Sequence, residues 1–458
     1  MIDEVNNAST SAASRETMLI EPGWRGGDGS LLRGFLLVTL LFLGTRFVVW
    51  TGAYTGSVMW ARIDERLEPP YDVIRARMDR PENAELRDRV AKRMQKGLAE
   101  FRPLLLWDGN HYRSIIEGGY QYEPPPPDAD IRSDESFRHN IAFFPLYPLI
   151  CRLVAQWMSV PDAMVLVANL LLLFSAWLVF AWIRTRVGFE TALLSAAILA
   201  CWPSACFYSF GYAESTTLLF TTLTLISIDT RRYALGAVAC ALCTATRPTA
   251  CVVAALLALC YYLREPGSQR KRAGVAILLG AIGGIGLFAY MGFLTWKFGS
   301  PFVYTQNFKG WVDDRARGDW VEYLTLARVW EQLKHLPLGL WFAPEGLVAF
   351  ARPLAWNMWL NLFLVIGSFV AMRRVAPDFR PLLWFAPFVF AFSYAASGAA
   401  SFGVQPIGRY MAISVPTFVA MAAWMREWKW GYRAAAFSLM MLIQAAWAFS
   451  FGLYEWSG

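Results

Sequence analysis

The chain is short of charge and nearly without histidine: 17% of its 458 residues are Asp, Glu, Lys or Arg, and three are His. An ordinary soluble domain carries about a quarter charged residues. This shortage, with the long apolar runs between charges, excludes a soluble enzyme, a disordered chain and a nucleic-acid-binding domain. The formal charge of +7 lies in short basic clusters between apolar segments and forms no basic face. His111, His139 and His335 are too few to suggest a histidine-based metal centre. The seven cysteines all lie inside apolar stretches, where a disulfide framework would have no use. Cys240 and Cys243 form a C-x-x-C with no second pair, and read as small core residues. A Walker-type glycine loop, an H-E-x-x-H helix and an inverted repeat are also missing.

What is present is hydrophobic: 56% of the chain, with 16% aromatic. Residues 1–30 are polar and read as a disordered cytoplasmic tail. Leu31 to Thr51 is long enough to cross a hydrocarbon core of about 30 Å. The composition then reverses, with ten Lys or Arg and nine Asp or Glu between Ala61 and Glu100. Leu86, Val90, Met94 and Leu98 recur at helical spacing there, predicting an amphipathic helix on the membrane surface. This belongs to a first extracytoplasmic loop over 53–140. Apolar segments follow at 141–158, 162–183, 191–210, 216–228, 233–246, 249–263 and 273–296, then a second outer loop at 297–338. Four more lie at 354–372, 382–396, 410–425 and 434–453.

Since lipid tolerates no open sheet edge, these segments predict an all-α integral membrane protein. One transmembrane domain is expected over 31–458, a bundle of roughly 10–12 spanning or half-spanning helices. The basic turns at Arg184 and Arg186, Arg231 and Arg232, Arg264–Arg272, Arg373 and Arg374, and Arg426–Arg433 mark the cytoplasmic side. Alternation works if Arg247-Pro248 breaks 233–263 into two short helices. It also requires 141–158 to enter and leave on one face. Gly211–Glu214, Arg247, Gln306, Arg409 and the long loop then share the other side.

The scarce polar residues on that side are the candidate site. Asp108 lies in Leu106-Trp107-Asp108-Gly109-Asn110-His111-Tyr112, an aromatic and apolar setting that suits a general base; a helix cap is the alternative reading. Ala142-Phe143-Phe144-Pro145-Leu146-Tyr147-Pro148 reads as an interface belt or as part of a pocket. Glu214 in Gly211-Tyr212-Ala213-Glu214-Ser215 is an acid in a short apolar turn, which implies a partner or a task. Arg247 presents a fork of donors to a phosphate, or pairs with Glu214. Arg409, beside Tyr410, is a second phosphate contact or a snorkelling side chain.

At these residues the chain resembles the GPI mannosyltransferase II (PIG-V-like) family of the GT-C glycosyltransferase superfamily. The resemblance rests on Trp107-Asp108 with Tyr112 and Gly119-Tyr120, then Ala142–Pro148 with Tyr147, then Tyr212-Ala213-Glu214-Ser215. It continues through Ala245-Thr246-Arg247, Gln306, and Arg409-Tyr410 ahead of Pro416, in order from about residue 35 to 425. Leu106, His111 and Trp311 depart from the family pattern. The long loop has no N-x-Ser/Thr sequon, which favours a bacterial member in the cytoplasmic membrane over one in the endoplasmic reticulum.

The resemblance implies an inverting transferase that moves a hexose, mannose being the expected sugar. The donor would be a polyprenyl-phosphate sugar, and the acceptor a hydroxyl of a lipid, glycan or protein on the non-cytoplasmic face. Asp108 would be the base. Trp107, Tyr112, Tyr147, Tyr212, Glu214, Arg247, Gln306, Arg409 and Tyr410 would bind substrate. No cofactor or metal is called for, although a loosely held divalent ion is compatible with it. The partners implied are membrane lipid, the lipid-linked donor and an unidentified acceptor. The rival class is a lipid-linked sugar flippase, which would string polar groups along a path through the membrane. Arg46 is the main charge inside a span.

Overall fold

The computed structural model describes residues 31–64, 102–124, 139–307, 353–397 and 407–453. Of these, 82% are helical and none is in a strand. The expected amphipathic helix at 86–98, most of both outer loops and the tail lie outside the described residues.

Helix α1 (Leu31–Asp64) is followed by α2 (Asp108–Gly118), α3 (Leu146–Val154) and α4 (Val160–Arg186). Next come α5 (Phe189–Cys201), α6 (Glu214–Asp229), α7 (Tyr233–Thr244), α8 (Cys251–Arg264), α9 (Gln269–Gly283), α10 (Ile285–Phe298) and α11 (Val303–Asn307). The last are α12 (Pro353–Met372), α13 (Phe385–Ser397), α14 (Ile407–Met411), α15 (Val415–Met425) and α16 (Trp430–Gly452).

Helices α1, α4 and α16 are each long and apolar enough to cross a membrane, and α9 with α10 make a fourth candidate bent by 49°. Their outward faces are apolar: Leu32, Leu36, Leu40, Leu43 and Phe47 of α1 all point away from the protein. A bundle that buries small and polar residues and exposes leucine is built for lipid. Helix α1 runs to Asp64, past the Thr51 end expected from its apolar run, and its 34 residues rise about 51 Å. Helix α3 has nine residues, a rise of about 13.5 Å, under half a bilayer core.

The other apolar stretches are shorter than their hydropathy suggests because proline breaks them. Pro203, Pro248 and Pro416 each sit in the first turn after a break. Lacking an N–H, proline is tolerated there and nowhere deeper. The break at Trp202-Pro203 frees carbonyls inside the bundle, where no water would satisfy them. Side chains do so instead. Arg46 of α1 donates to the carbonyls of Ala200 and Ala205, both at 3.0 Å, and to Ser209 Oγ at 2.7 Å. Gln444 of α16 donates to Ala200 at 3.1 Å and Trp202 at 2.8 Å.

The basic turns meet at one end of the bundle. Arg186 pairs with Asp378, Arg264 donates to the carbonyls of Ile228 and Asp378, and Arg433 pairs with Glu190. Arg186 and Arg264 lie in the last turns of α4 and α8, where the helix dipole favours positive charge. Trp182 Nε1 donates to Asp229 at 2.9 Å and joins α6 to the same layer.

The first and last spans touch through glycine. A Cβ on Gly56 would lie 2.2 Å from the Phe449 carbonyl oxygen, and one on Gly452 would lie 2.0 Å from that of Ala53. Small residues spaced by four let the two backbones meet. Gly56→Leu should therefore lower the thermal unfolding midpoint in detergent, with a loss of about 1–3 kcal/mol from overpacking. An unchanged midpoint would show that the α1–α16 contact is not tight.

Candidate active site

Four breaks in helical structure place the site. The first is at Trp107, whose φ of 55° and ψ of −114° put a bulky aromatic in a region that non-glycine residues avoid. Such strain persists only where surrounding contacts over-determine it. Here Leu104, Leu105 and Leu106 are buried just before the turn, and Asp108 opens α2 just after it. The result is a buried carboxylate beside an indole that is 37% exposed.

The second break is the turn between α5 and α6, which docks against the first. Gly211 N–H donates to the Leu104 carbonyl at 2.8 Å, and Tyr212 Oη donates to that of Leu106 at 3.0 Å. A Cβ at 211 would come within 2.3 Å of the Leu105 side chain, which would have to shift to admit it. The chain then turns into α6 at Glu214, which is 1% exposed. The third break is Arg247-Pro248, where the backbone extends between α7 and α8. Leu146 N–H donates to Ala245 at 3.0 Å, tying the Phe143–Pro148 segment to this turn. The fourth is α14, which carries Arg409 and Tyr410; Ser204 Oγ holds the Gly408 carbonyl at 2.9 Å.

Together these turns build a quartet of two acids and two bases. Arg247 Nη2 is 2.8 Å from Glu214 Oε1. Arg409 Nε reaches the same oxygen at 3.4 Å, and its Nη1 lies 2.7 Å from Asp108 Oδ2. The formal charges cancel, as burial demands of ions removed from water. Tyr410 stands under both cations, its ring centroid 4.8 Å from Arg247 Cζ and 5.4 Å from that of Arg409. Tyr212 and Phe207 add faces at 5.5 and 5.9 Å from Arg409. Burial opposes the charge on Arg409, but Asp108, Tyr410 and Glu214 outweigh it, so this guanidinium holds its proton well above its ordinary value. Glu214 Oε2 has no hydrogen-bond partner among the described residues.

The Glu214–Arg247 pair, one of the two readings open from sequence, is present. Arg409 does not snorkel: it is buried and paired with Asp108. Tyr112 and Tyr147 stack edge to face at 5.0 Å beneath the quartet, with Phe143 at 5.1 Å from Tyr112. Burial pushes the Tyr112 phenol up, so it stays protonated. Gln306 lies in α11, and its side chain is outside the described residues. Its neighbour Asn307 makes a reciprocal pair with the His139 backbone, both bonds at 2.9 Å, and so joins α11 to the first loop.

Sequence inspection does not single out Asn307 or Asn140. Asn140 bonds Ser114, Gly119 and Gln121, and so locks the end of α2. A lone asparagine beside an aromatic run carries no signal of such a role. The seven cysteines are free thiols; Cys243 Sγ packs 3.4 Å from Thr221 Oγ1 in the α6–α7 interface. No group of three or more His, Cys, Asp or Glu that could hold a metal occurs among the described residues.

Beside the quartet runs a groove of about 490 Å³, walled by Ile115, Pro148 and Leu149 on one side and Gly286, Tyr290 and Phe293 on the other. It reaches Ala245, two residues from Arg247, and Lys297 lies along its wall.

No protein-family model matches the chain, and no curated protein resembles it significantly. Three solved structures of the oligosaccharyltransferase of Archaeoglobus fulgidus are similar in outline. The form with zinc and sulfate is 14% identical with a TM-score of 0.40, covering 76% of this chain and 48% of its own. The form tethered to an acceptor peptide gives 12% and 0.35, covering 75% and 50%. The AglB complex with an inhibitory peptide and a dolichol-phosphate gives 12% and 0.37, covering 75% and 51%. The chain thus spans about half the length of the structures it matches. At these TM-scores the likeness carries no argument about activity.

Breaking the quartet should be costly. Glu214→Gln leaves Arg247 without its carboxylate and Arg409 with Asp108 alone in a buried site, an expected loss of about 3–5 kcal/mol. Combining it with Arg247→Met should cost less than the two single changes summed. Additive losses in thermal unfolding would show that the 2.8 Å contact carries no coupling.

Proposed function

We propose that this protein is an inverting glycosyltransferase of the GT-C type. It moves a hexose, expected to be mannose, from a polyprenyl-phosphate donor to a hydroxyl of a lipid, glycan or protein at the non-cytoplasmic membrane face. The observation that carries this reading is the buried quartet, two acids and two arginines gathered at one end of a largely apolar bundle. Polar side chains inside lipid-embedded protein are expensive and rarely idle.

The chemistry divides among the four groups. The donor's isoprenoid tail lies in the groove between α3 and α10, and its phosphate meets Arg247 and Arg409. Drawn toward that phosphate, Arg409 loosens its hold on Asp108. The freed carboxylate accepts the acceptor's proton as the hydroxyl oxygen attacks the anomeric carbon. The bond from that carbon to the phosphate oxygen breaks, its electron pair goes to the phosphate, and configuration inverts. Both guanidiniums then stabilise the charge that builds on the leaving group. Glu214 keeps Arg247 in place, and its second oxygen is free to meet a sugar hydroxyl. Trp107 stands at the mouth beside the base.

The test is to purify the protein and supply labelled polyprenyl-phospho-mannose with candidate acceptors. Asp108→Asn should reduce turnover by about 10²–10⁴-fold, the usual contribution of a positioned base. Arg247→Ala should raise the KM for donor. Transfer by Asp108→Asn at the parent rate removes the assignment of the base, and an absence of transfer from any polyprenyl-phosphate sugar removes the reading as a whole.

A further inference from the structure

Arg46 lies in the middle of α1, 4% exposed, and does not belong to the quartet. Its partners are the carbonyls of Ala200 and Ala205, Ser209 Oγ at 2.7 Å and Thr45 Oγ1 at 3.3 Å. No carboxylate pairs with it among the described residues. Ser209 is in turn held by Asn169, which accepts from its hydroxyl at 3.0 Å. A cation in this position is a whole unit of buried, uncompensated charge.

Hydrogen bonding alone does not require that charge. Gln444 satisfies two carbonyls of the same helix break, one of them Ala200, with a neutral amide. An arginine in the bundle interior is far more expensive than an amide, and an intramembrane ion without a counter-ion usually serves function. What lies next to it is the site. The segment it grips, 203–213, leads directly into Tyr212 and Glu214. Ser215 Oγ donates to the Tyr208 carbonyl at 2.7 Å, which ties the gripped segment to the first turn of α6 beside Glu214. The quartet is neutral by formal charge, so the unpaired charge of Arg46 adds to the attraction the site exerts on an anion such as a sugar-phosphate diester.

We infer that Arg46 is a positioning residue for the donor. Its charge, acting through the 203–213 segment and without contact, raises affinity for the lipid-linked phosphate. This rests on the reading of the site as a polyprenyl-phosphate pocket.

The experiment compares the full-length protein with Arg46→Lys and Arg46→Gln in lipid nanodiscs. It measures binding of a polyprenyl phosphate and of the uncharged polyprenol, alongside thermal unfolding. Arg46→Lys keeps the charge and loses the fork, and should bind the phosphate within about twofold of the parent. Arg46→Gln keeps donors but no charge. It should bind the phosphate more weakly, on the order of tenfold, the size of one unit charge over about 10 Å at an effective dielectric of about 20. Polyprenol binding should not change in either. Equal losses in the two variants, or an unchanged Arg46→Gln, overturn the inference and leave Arg46 a structural cap. If Arg46→Gln does not fold, a tenfold loss in Arg46→Lys overturns it alone, since the charge is retained. A parent protein that binds the phosphate no better than polyprenol refutes the donor reading itself, and this inference falls with it.

Discussion

One oxygen, Oε1 of Glu214, is shared by two arginines far apart in the chain, Arg247 at 2.8 Å and Arg409 at 3.4 Å. Burying a carboxylate or a guanidinium is costly, and pairing the two offsets part of that cost for all three groups. The arrangement of the adjoining ends of α2, α6 and α14 and of the turn between α7 and α8 follows from that single requirement. Each contributes one member of the quartet, and each begins or ends at a break that aims its side chain inward. Remove the acid and Arg247 loses its carboxylate while Arg409 keeps only Asp108.

The breaks have a common physical logic. A continuous helix hides its backbone polar groups and presents only side chains, which suits a span but cannot concentrate chemistry. Interrupting helices at Trp107, Pro203, Pro248 and near Pro416 lets the backbone fold into turns that bring several side chains to one point. The freed carbonyls are then a liability inside the bundle. Arg46 and Gln444 meet it at the Trp202 break, one with charge and one without. The other end of the protein is built oppositely, with arginines at helix C-termini paired across loops and no shared oxygen at the centre.

The all-α class, the order of the apolar segments and the grouping of basic turns at one end were legible in the residues, because the cost of unpaired backbone in lipid leaves few choices. Asp108, Glu214, Arg247 and Arg409 were legible too, since acids and arginines are so rare among apolar neighbours that each stands out. Other features were not. The locking roles of Asn140 and Asn307 depend on backbone groups distant in sequence. Arg46 was visible as a charge within a span, but nothing near it in sequence told what it held.

The sequence by itself determined that this is a helical membrane protein with a few polar residues held toward one side, because hydrophobicity and charge are local properties that lipid reads one segment at a time. Only the tertiary structure decided which of those polar residues meet. Whether Arg247 pairs with Glu214, whether Arg409 turns outward or inward to Asp108, and where an apolar groove opens beside them are matters of distance between segments up to some 300 residues apart. Coulomb attraction falls with separation in space and takes no account of separation along the chain, so the pairing waited on the fold.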